Sequence, residues 1–491
     1  MEARLRRLAL LSIVWIASAH AETRPRYIGT LEASLLGAPA TFDPTMAQSH
    51  AELTVSELIF DTLYRAELTG PVEPHLALDQ PALDATRTIA RITIRKGVKF
   101  HDGSPLTPQD VAASLERARI GAGRWALSPI ASITANGDTI ELTLRTPVTD
   151  VAAMLALAPS AVTKQGKAPG ARPVGSGPYA YESLDRAKGR LVLAAFEDHF
   201  AGRTYLDRLV LHWFDKPDAE AKRFETDEAQ LSARGVAAFT GGQPKYQARA
   251  VDGPTGLLLF VGFGRKHLDV TREVAFRRAL DLALDRGALA SVNRGEAVMP
   301  AVEPIPGVIP SLLVRNGDLA QARLALATAA SRVKALEPAN LPQLTLEISF
   351  EETRPDDRLI AERVARALGK LQIGTTLSAV SASELRDRAT RGTTDLWIGQ
   401  LAAPITIGWA WWSAAFTAGG DDWATARLAA GTLVAADAQK EFAVRRPIVP
   451  LMFRGVKMWH RTDVRNLRFD ATGRPCFAEL FMFGLPARTR P

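Results

Sequence analysis

The stretch from Leu344 to Leu377 constrains the fold more than any other in the chain. Leu344, Leu346, Ile348 and Phe350 alternate with Thr345, Glu347 and Ser349, the period-two pattern of a strand. Pro355 suits the start of a helix, and Ile360, Val364, Ala367, Leu368 and Leu371 then recur at helical spacing. Ile373, Thr375 and Leu377 read as a second strand. A strand, a helix and a strand of these lengths specify a parallel βαβ unit with a right-handed crossover, so the chain is predicted to be α/β. Another helix is predicted from Arg272 to Asp285, with Phe276, Leu280 and Leu284 on one face and Gly287 as its stop.

At 491 residues the chain is too long for one small core and fits two or three packed lobes. Its only cysteine, Cys476, allows no internal disulfide, so packing must supply the stability. The N-terminus reads as an export signal. Arg4, Arg6 and Arg7 precede an apolar run from Leu8 to Ala19, which ends in the small-x-small pattern Ala19-His20-Ala21. The run is too short to span a bilayer, which takes about 20 residues. Cleavage after Ala21 is expected, leaving a soluble, periplasmic mature protein without a lipid anchor. Arg4, Arg6, Arg7 and Glu2 leave with the signal, so the net charge of +7 falls to +5. That charge is spread without a block of like sign, which argues against nucleic acid as a partner.

From Thr88 to Arg119 the pattern is strand, turn and capped helix. Ile92 and Ile94 alternate with Thr93 and Arg95, and His101-Asp102-Gly103 makes a turn, with His101 expected at the surface. Thr107 can cap a helix that has Pro108 at its first position, with Asp110 completing a capping box. The residues themselves say more. The run Arg95-Lys96-Gly97-Val98-Lys99-Phe100-His101-Asp102-Gly103, then Pro105-Leu106-Thr107 and Asp110-Val111, resembles the signature of bacterial extracellular solute-binding proteins of family 5, the periplasmic receptors of peptide and nickel ABC transporters. Phe42-Asp43-Pro44, Pro74-His75-Leu76-Ala77, Pro173-Val174-Gly175-Ser176-Gly177-Pro178-Tyr179, the helix from Val274 to Arg286, and Arg446-Pro447-Ile448-Val449-Pro450-Leu451 resemble further elements of that family, in order.

The resemblance implies a type II periplasmic-binding-protein fold, two lobes joined by a hinge with an extra α/β subdomain on the first. The expected organisation is a signal at 1–21, lobe I at 22–255 with the subdomain at about 46–172, lobe II at 256–444, and a return to lobe I at 445–491. It also implies the substrate-binding component of an ABC importer. Such a protein is a monomer that captures a peptide or peptide-like solute between its lobes and docks on permease subunits, with no cofactor and no catalytic residues.

Five of the nine tryptophans, Trp397, Trp409, Trp411, Trp412 and Trp423, fall between residues 397 and 423. The apolar segment from Gly399 to Gly420 is broken by Pro404, Gly408 and Gly419-Gly420 and has no clean period. It is read as a loop framing a pocket, with Trp409, Trp411 and Trp412 as ligand contacts and Trp397 as core. Ser34, in Glu32-Ala33-Ser34, and Phe263 stand at positions comparable to cleft-lining elements of the family. In its peptide receptors an aspartate in this region pairs with the ligand's α-ammonium. Here no acid occurs between Asp395 and Asp421, and Ala402-Ala403-Pro404-Ile405-Thr406 stands in the expected place. Strong binding of ordinary peptides with a free N-terminus is therefore not expected.

Other functions find less support. A metal-chelate receptor of the nickel branch is one alternative, but His50, His75, His101, His199, His212, His267 and His460 form no HxH, HExxH or i,i+4 pair, so no metal site is predicted. An orphan ligand sensor of the same fold is another. A hydrolase would need a nucleophile elbow, and Gly175-Ser176-Gly177 has the wrong spacing. Gly262-Phe263-Gly264 is followed by His267 and not by the third glycine of a dinucleotide loop.

Overall fold

The computed structural model describes residues 29–483 apart from 70, 149, 215, 234–243, 246–247, 293–297, 309 and 430–431, with backbone alone at 217, 355, 422, 429 and 435. The export signal lies outside the described residues.

The strand Thr345–Glu351, the helix Pro355–Lys370 and the strand Gly374–Val380 form the expected parallel unit, with Ile348 opposite Leu377. They close one edge of a six-stranded sheet, ordered Val298–Pro300, Val449–Arg454, Leu257–Phe263, Leu396–Ala402, Thr345–Glu351 and Gly374–Val380. Leu257–Phe263 lies inside this sheet and is buried on both faces. Leu257, Leu259 and Val261 enter one core, and Leu258 and Phe260 enter another, which is why the run shows no polar alternation.

The helix Val274–Ala283 covers the first of these faces with Phe276, Ala279, Leu280 and Ala283. It stops short of the predicted Asp285 because Asp285 caps a new helix, Arg286–Ala290, by accepting the N–H of Ala288. Gly287 therefore lies inside that second helix and stops nothing. Arg286 is wholly buried. Its guanidinium donates to the carbonyls of Ala301 (2.6 Å) and Pro450 (2.9 Å) and pairs with Asp281, which also pairs with Arg446.

A seven-stranded sheet is ordered Ala248–Asp252, Lys457–Arg461, Leu231–Ser232, Thr30–Ser34, Arg208–His212, Arg190–Ala195 and Tyr179–Asp185. The chain passes from this sheet to the six-stranded one between Asp252 and Leu257. It returns between Arg454 and Lys457, later than residue 445, because Val449–Arg454 pairs with Leu257–Phe263.

A four-stranded antiparallel sheet, Ala82–Leu83, Ile89–Thr93, Thr139–Leu144 and Ile130–Asn136, packs under the helix Pro108–Ile120. The capping box is complete, since Thr107 Oγ1 accepts the Asp110 N–H and the Asp110 carboxylate accepts the Thr107 N–H at 2.8 Å. The apolar core of this sheet is continuous with one face of the six-stranded sheet, joining Leu142 to Trp411, Phe416 and Phe453. Arg117 ties its helix to Asp43 at 2.8 Å.

His101 stands in the expected turn but is half-buried, not at the surface. Its Nδ1 accepts the N–H of Gly175 at 3.2 Å, and its Nε2 donates to the Gly177 carbonyl at 3.0 Å. Burial lowers its pKa, which suits a neutral ring that accepts one N–H and donates to one carbonyl of the same segment. Gly175 and Gly177 lie against the Ile59 backbone, where a β-carbon would fall 1.9 Å from the Ile59 oxygen at 175 and 2.6 Å from its carbonyl carbon at 177. Only glycine fits there. Among the described residues, no helix is long and apolar enough to cross a membrane.

Candidate ligand-binding site

A cavity of about 710 Å³ opens between the elements just described. Thr45, Ser49 and Glu52 line it at the start of the helix His50–Ile59, and Gly121 and Ala122 where the helix Pro108–Ile120 ends. Phe263, Trp397, Gly399 and Gln400 approach from the six-stranded sheet, and Thr417 to Gly420 from the end of the helix Gly408–Ala418.

Trp397 is the tryptophan in this wall, and it stands there because glycines make room for it. Its cross-strand partner is Gly262, and Gly399 lies two residues on, opposite Phe260. A β-carbon at Gly262 would fall 2.2 Å from the indole, and one at Gly399 would fall 2.3 Å from the Phe260 ring and 2.5 Å from the indole. Phe260 meets Trp397 edge-on with centroids 5.1 Å apart. A glycine facing an aromatic residue across two strands marks such a site, but the register that reveals it is tertiary.

The acids and bases of the cavity are unequally committed. Glu52 accepts backbone N–H groups of Ala40, Gln48 and Ser49 at 3.0–3.2 Å and pairs with Arg386. Glu351 accepts the Ala38 N–H at 3.0 Å and pairs with Arg354 at 2.8 Å. Each carboxylate is already paired with an arginine and accepts further bonds, which leaves little to draw a ligand ammonium. Arg277 is the opposite case. Its Nε donates to the Thr271 carbonyl at 2.7 Å and one Nη to the Arg446 carbonyl at 3.1 Å, but among the described residues no carboxylate pairs with it. Burial depresses its pKa to about 10, and nearby Asp421 offsets this in part. Gln400 Oε1 is buried without a hydrogen-bond partner among the described residues. Among its described residues the cavity thus offers a cation and an amide acceptor, and no carboxylate without an arginine partner.

Of the residues expected at the site, Phe263 lines the cavity, with the Arg277 guanidinium over its ring. The others lie elsewhere. The segment read as a loop is the end of the strand Leu396–Ala402 followed by the helix Gly408–Ala418. Trp411 is fully buried, donates Nε1–H to the Pro404 carbonyl at 3.3 Å and meets Phe453 edge-on. Trp412 packs edge-on against Phe442, and Trp409 is half-buried against the same core. A helix buried all round carries no amphipathic period, so its sequence resembles an irregular apolar loop. Ser34 is buried in the seven-stranded sheet, donating to Glu220 at 2.5 Å and accepting the Ala233 N–H at 2.7 Å. Asp421 caps the next helix through Ala424 N–H and lies 3.5 Å from Arg445. It does not replace the missing acid.

Residues 71–421 match the model of the bacterial extracellular solute-binding proteins, family 5 (middle region). The chain belongs to this family. Protein XP55 of Streptomyces lividans is 30% identical over 264 residues, covering 50% of this chain and 47% of the relative. The glutathione-binding protein GsiB of Pectobacterium atrosepticum is 27% identical over 292 residues, covering 55% and 54%. The chain thus spans about half the length of the curated relatives it matches. The two-lobed fold of the family extends further. The oligopeptide-binding protein AppA of Bacillus subtilis, solved with a nonapeptide, superposes with a TM-score of 0.74 at 17% identity over 94% of this chain and 100% of that one. The dipeptide-binding protein of Pseudoalteromonas sp. SM9913, solved with Met-Leu, gives 0.76 at 16% identity over 92% and 100%. The family signature from Arg95 to Val111 contributes no residue to the cavity wall.

Proposed function

We propose that this chain is the substrate-binding component of an ABC importer, an exported monomer that captures a peptide-like solute bearing an anionic group and delivers it to membrane permease subunits. Binding takes place without chemistry, between the lobes, and a solute that contacts both sides favours the closed form by its differential affinity. The observation that carries this reading is the pairing pattern in the cavity, where Glu52 and Glu351 are consumed and Arg277 has no acid partner among the described residues. A buried guanidinium gains most from a ligand carboxylate, which it can meet bidentately. The aromatic wall of Phe263 and Trp397 supplies contact area at low entropic cost. Family relatives whose names record peptides, glutathione and nickel complexes support the transport role.

The test is calorimetry of the mature chain against di- to pentapeptides, each also N-acetylated and C-amidated, with native mass spectrometry of undenatured protein to identify retained solute. N-acetylation should leave affinity unchanged, and amidation of the only carboxylate should remove it. Micromolar or tighter binding that disappears on N-acetylation would overturn the reading.

A further inference from the structure

Three side chains far apart in sequence converge away from the interlobe cavity. Asp61, His75 and His199 each offer one ligand atom, and these atoms all lie within 4.8 Å of one another. His75 Nε2 is 2.9 Å and His199 Nε2 is 3.6 Å from the same oxygen, Asp61 Oδ1. The Asp61 and His199 side chains are 3% and 6% exposed. Each is aimed by a further bond. Ser176 Oγ donates to Asp61 Oδ2 at 2.8 Å, and His199 Nδ1 lies 3.2 Å from the Gly202 carbonyl, which can only accept. Nδ1 therefore carries a proton, and in the neutral ring the lone pair is on Nε2, the arrangement that an imidazole ligand adopts. That Nε2 is buried without a hydrogen-bond partner among the described residues, facing a carboxylate oxygen. His75 Nε2 donates to that oxygen, so the buried His199 Nε2 is the atom left without a bond, a cost that a cation shared by the three groups would remove.

We propose that Asp61, His75 and His199 form a three-ligand site for a divalent transition-metal cation of the zinc type. Imidazole and carboxylate suit such an ion. A tetrahedral ion with bonds of about 2.1 Å holds its ligand atoms about 3.4 Å apart, so a small rotation of the imidazoles closes the site. Phe200 packs against both rings, with centroids 5.0 Å from His75 and 4.8 Å from His199, and limits larger movement. All three residues line a cavity of about 350 Å³, which leaves a fourth position open to solvent. This cavity shares no lining residue with the interlobe one, so the site holds a resident ion and not the transported solute.

The experiment is titration of the metal-stripped mature chain with Zn²⁺ by calorimetry, with thermal melts and Mg²⁺ as the control. One equivalent of Zn²⁺ should bind and raise Tm, while Mg²⁺ does neither. His199→Gln and His75→Gln should each weaken Zn²⁺ by at least about tenfold, since loss even of a residue behind a ligand costs about 10–100-fold. Both variants should lose the rise in Tm and keep solute binding in the interlobe cavity. Should either variant fold poorly, Co²⁺ added to the unsubstituted chain must give the visible absorption of a four-coordinate site. No saturable Zn²⁺ binding, no such Co²⁺ spectrum, or binding that persists in a folded His199→Gln variant would overturn the proposal.

Discussion

The guanidinium carbon of Arg277 lies 4.5 Å from the centroid of the Phe263 ring, and the two side chains together line the interlobe cavity. The ring face attracts the cation and recovers part of what desolvation costs, so the charge persists although no carboxylate among the described residues pairs with it. Arg277→Gln is expected to weaken the tightest acidic solute by about 100-fold, in line with about 2–3 kcal/mol for a charged hydrogen bond. Arg277→Lys should recover only part of the loss, because an ammonium lacks the planar fork that meets a carboxylate bidentately and stacks on Phe263. Calorimetry on both variants checks this, and equal affinities in all three proteins would exclude Arg277 as the anchor.

The indole of Trp397 fills the space over Gly262 and Gly399, so alanine at either position should push it out of place. Gly262→Ala sets a β-carbon 2.2 Å from the indole, with no flexible side-chain end to yield. The expected cost is about 1–3 kcal/mol, the usual price of overpacking, read from the urea midpoint. Solute affinity should fall with it. Gly170→Ala serves as a control for added bulk alone, since nothing lies within 4 Å of its added carbon and its φ is not in the left-handed region.

Asp281 is the shared counter-ion of Arg286 and Arg446. Asp281→Asn leaves two guanidinium groups without their acid in the core beneath Val449–Arg454. A loss on the order of 3–5 kcal/mol is expected, as for a broken buried pair. Chemical denaturation should show it, with solute affinity unchanged in the protein that remains folded. An effect below about 1 kcal/mol would mean that the carbonyls of Ala301 and Pro450 suffice to hold Arg286.

Much of this fold is legible in the sequence where the deciding interactions are local. The βαβ unit from Leu344 to Leu377 follows from two periodicities, and the capping box at Thr107 and Asp110 from spacing alone. The helix ending in Asp285-Arg286 reads correctly as a helix but ends early, because Asp285 spends its side chain on the next one. The candidate site is less legible. Trp411 and Trp412 invite a ligand role because their helix is apolar on every side. Trp397 looks like core because Gly262, which with Gly399 opens its place, sits on another strand. The shortage of acid in the cavity shows in the sequence between Asp395 and Asp421, whereas the unpaired state of Arg277 depends on neighbours contributed by tertiary structure. The convergence of His75 and His199 on Asp61 has no signature in spacing at all.

His50 links the start of its helix to the C-terminal segment and should make stability depend on pH. Its Nε2 lies 2.9 Å from the Gly473 carbonyl, its Nδ1 is buried without a hydrogen-bond partner among the described residues, and burial lowers its pKa to about 4, with Arg474 adding to the effect and the bond to Gly473 opposing it. The unfolded chain holds this imidazole at its ordinary value of about 6.5. Between pH 6.5 and 4 the unfolded state therefore binds the extra proton, and stability falls as pH falls through that window. Above pH 6.5 both states are neutral and the contribution is complete. The size is on the order of 2–3 kcal/mol over about two pH units. His50→Gln retains a donor for Gly473 but does not titrate. Its stability relative to the unsubstituted chain should thus improve by that amount between pH 7 and 4.5, measured by urea denaturation at each pH. A difference that stays constant across this range would show that His50 is not the group whose protonation loosens the fold.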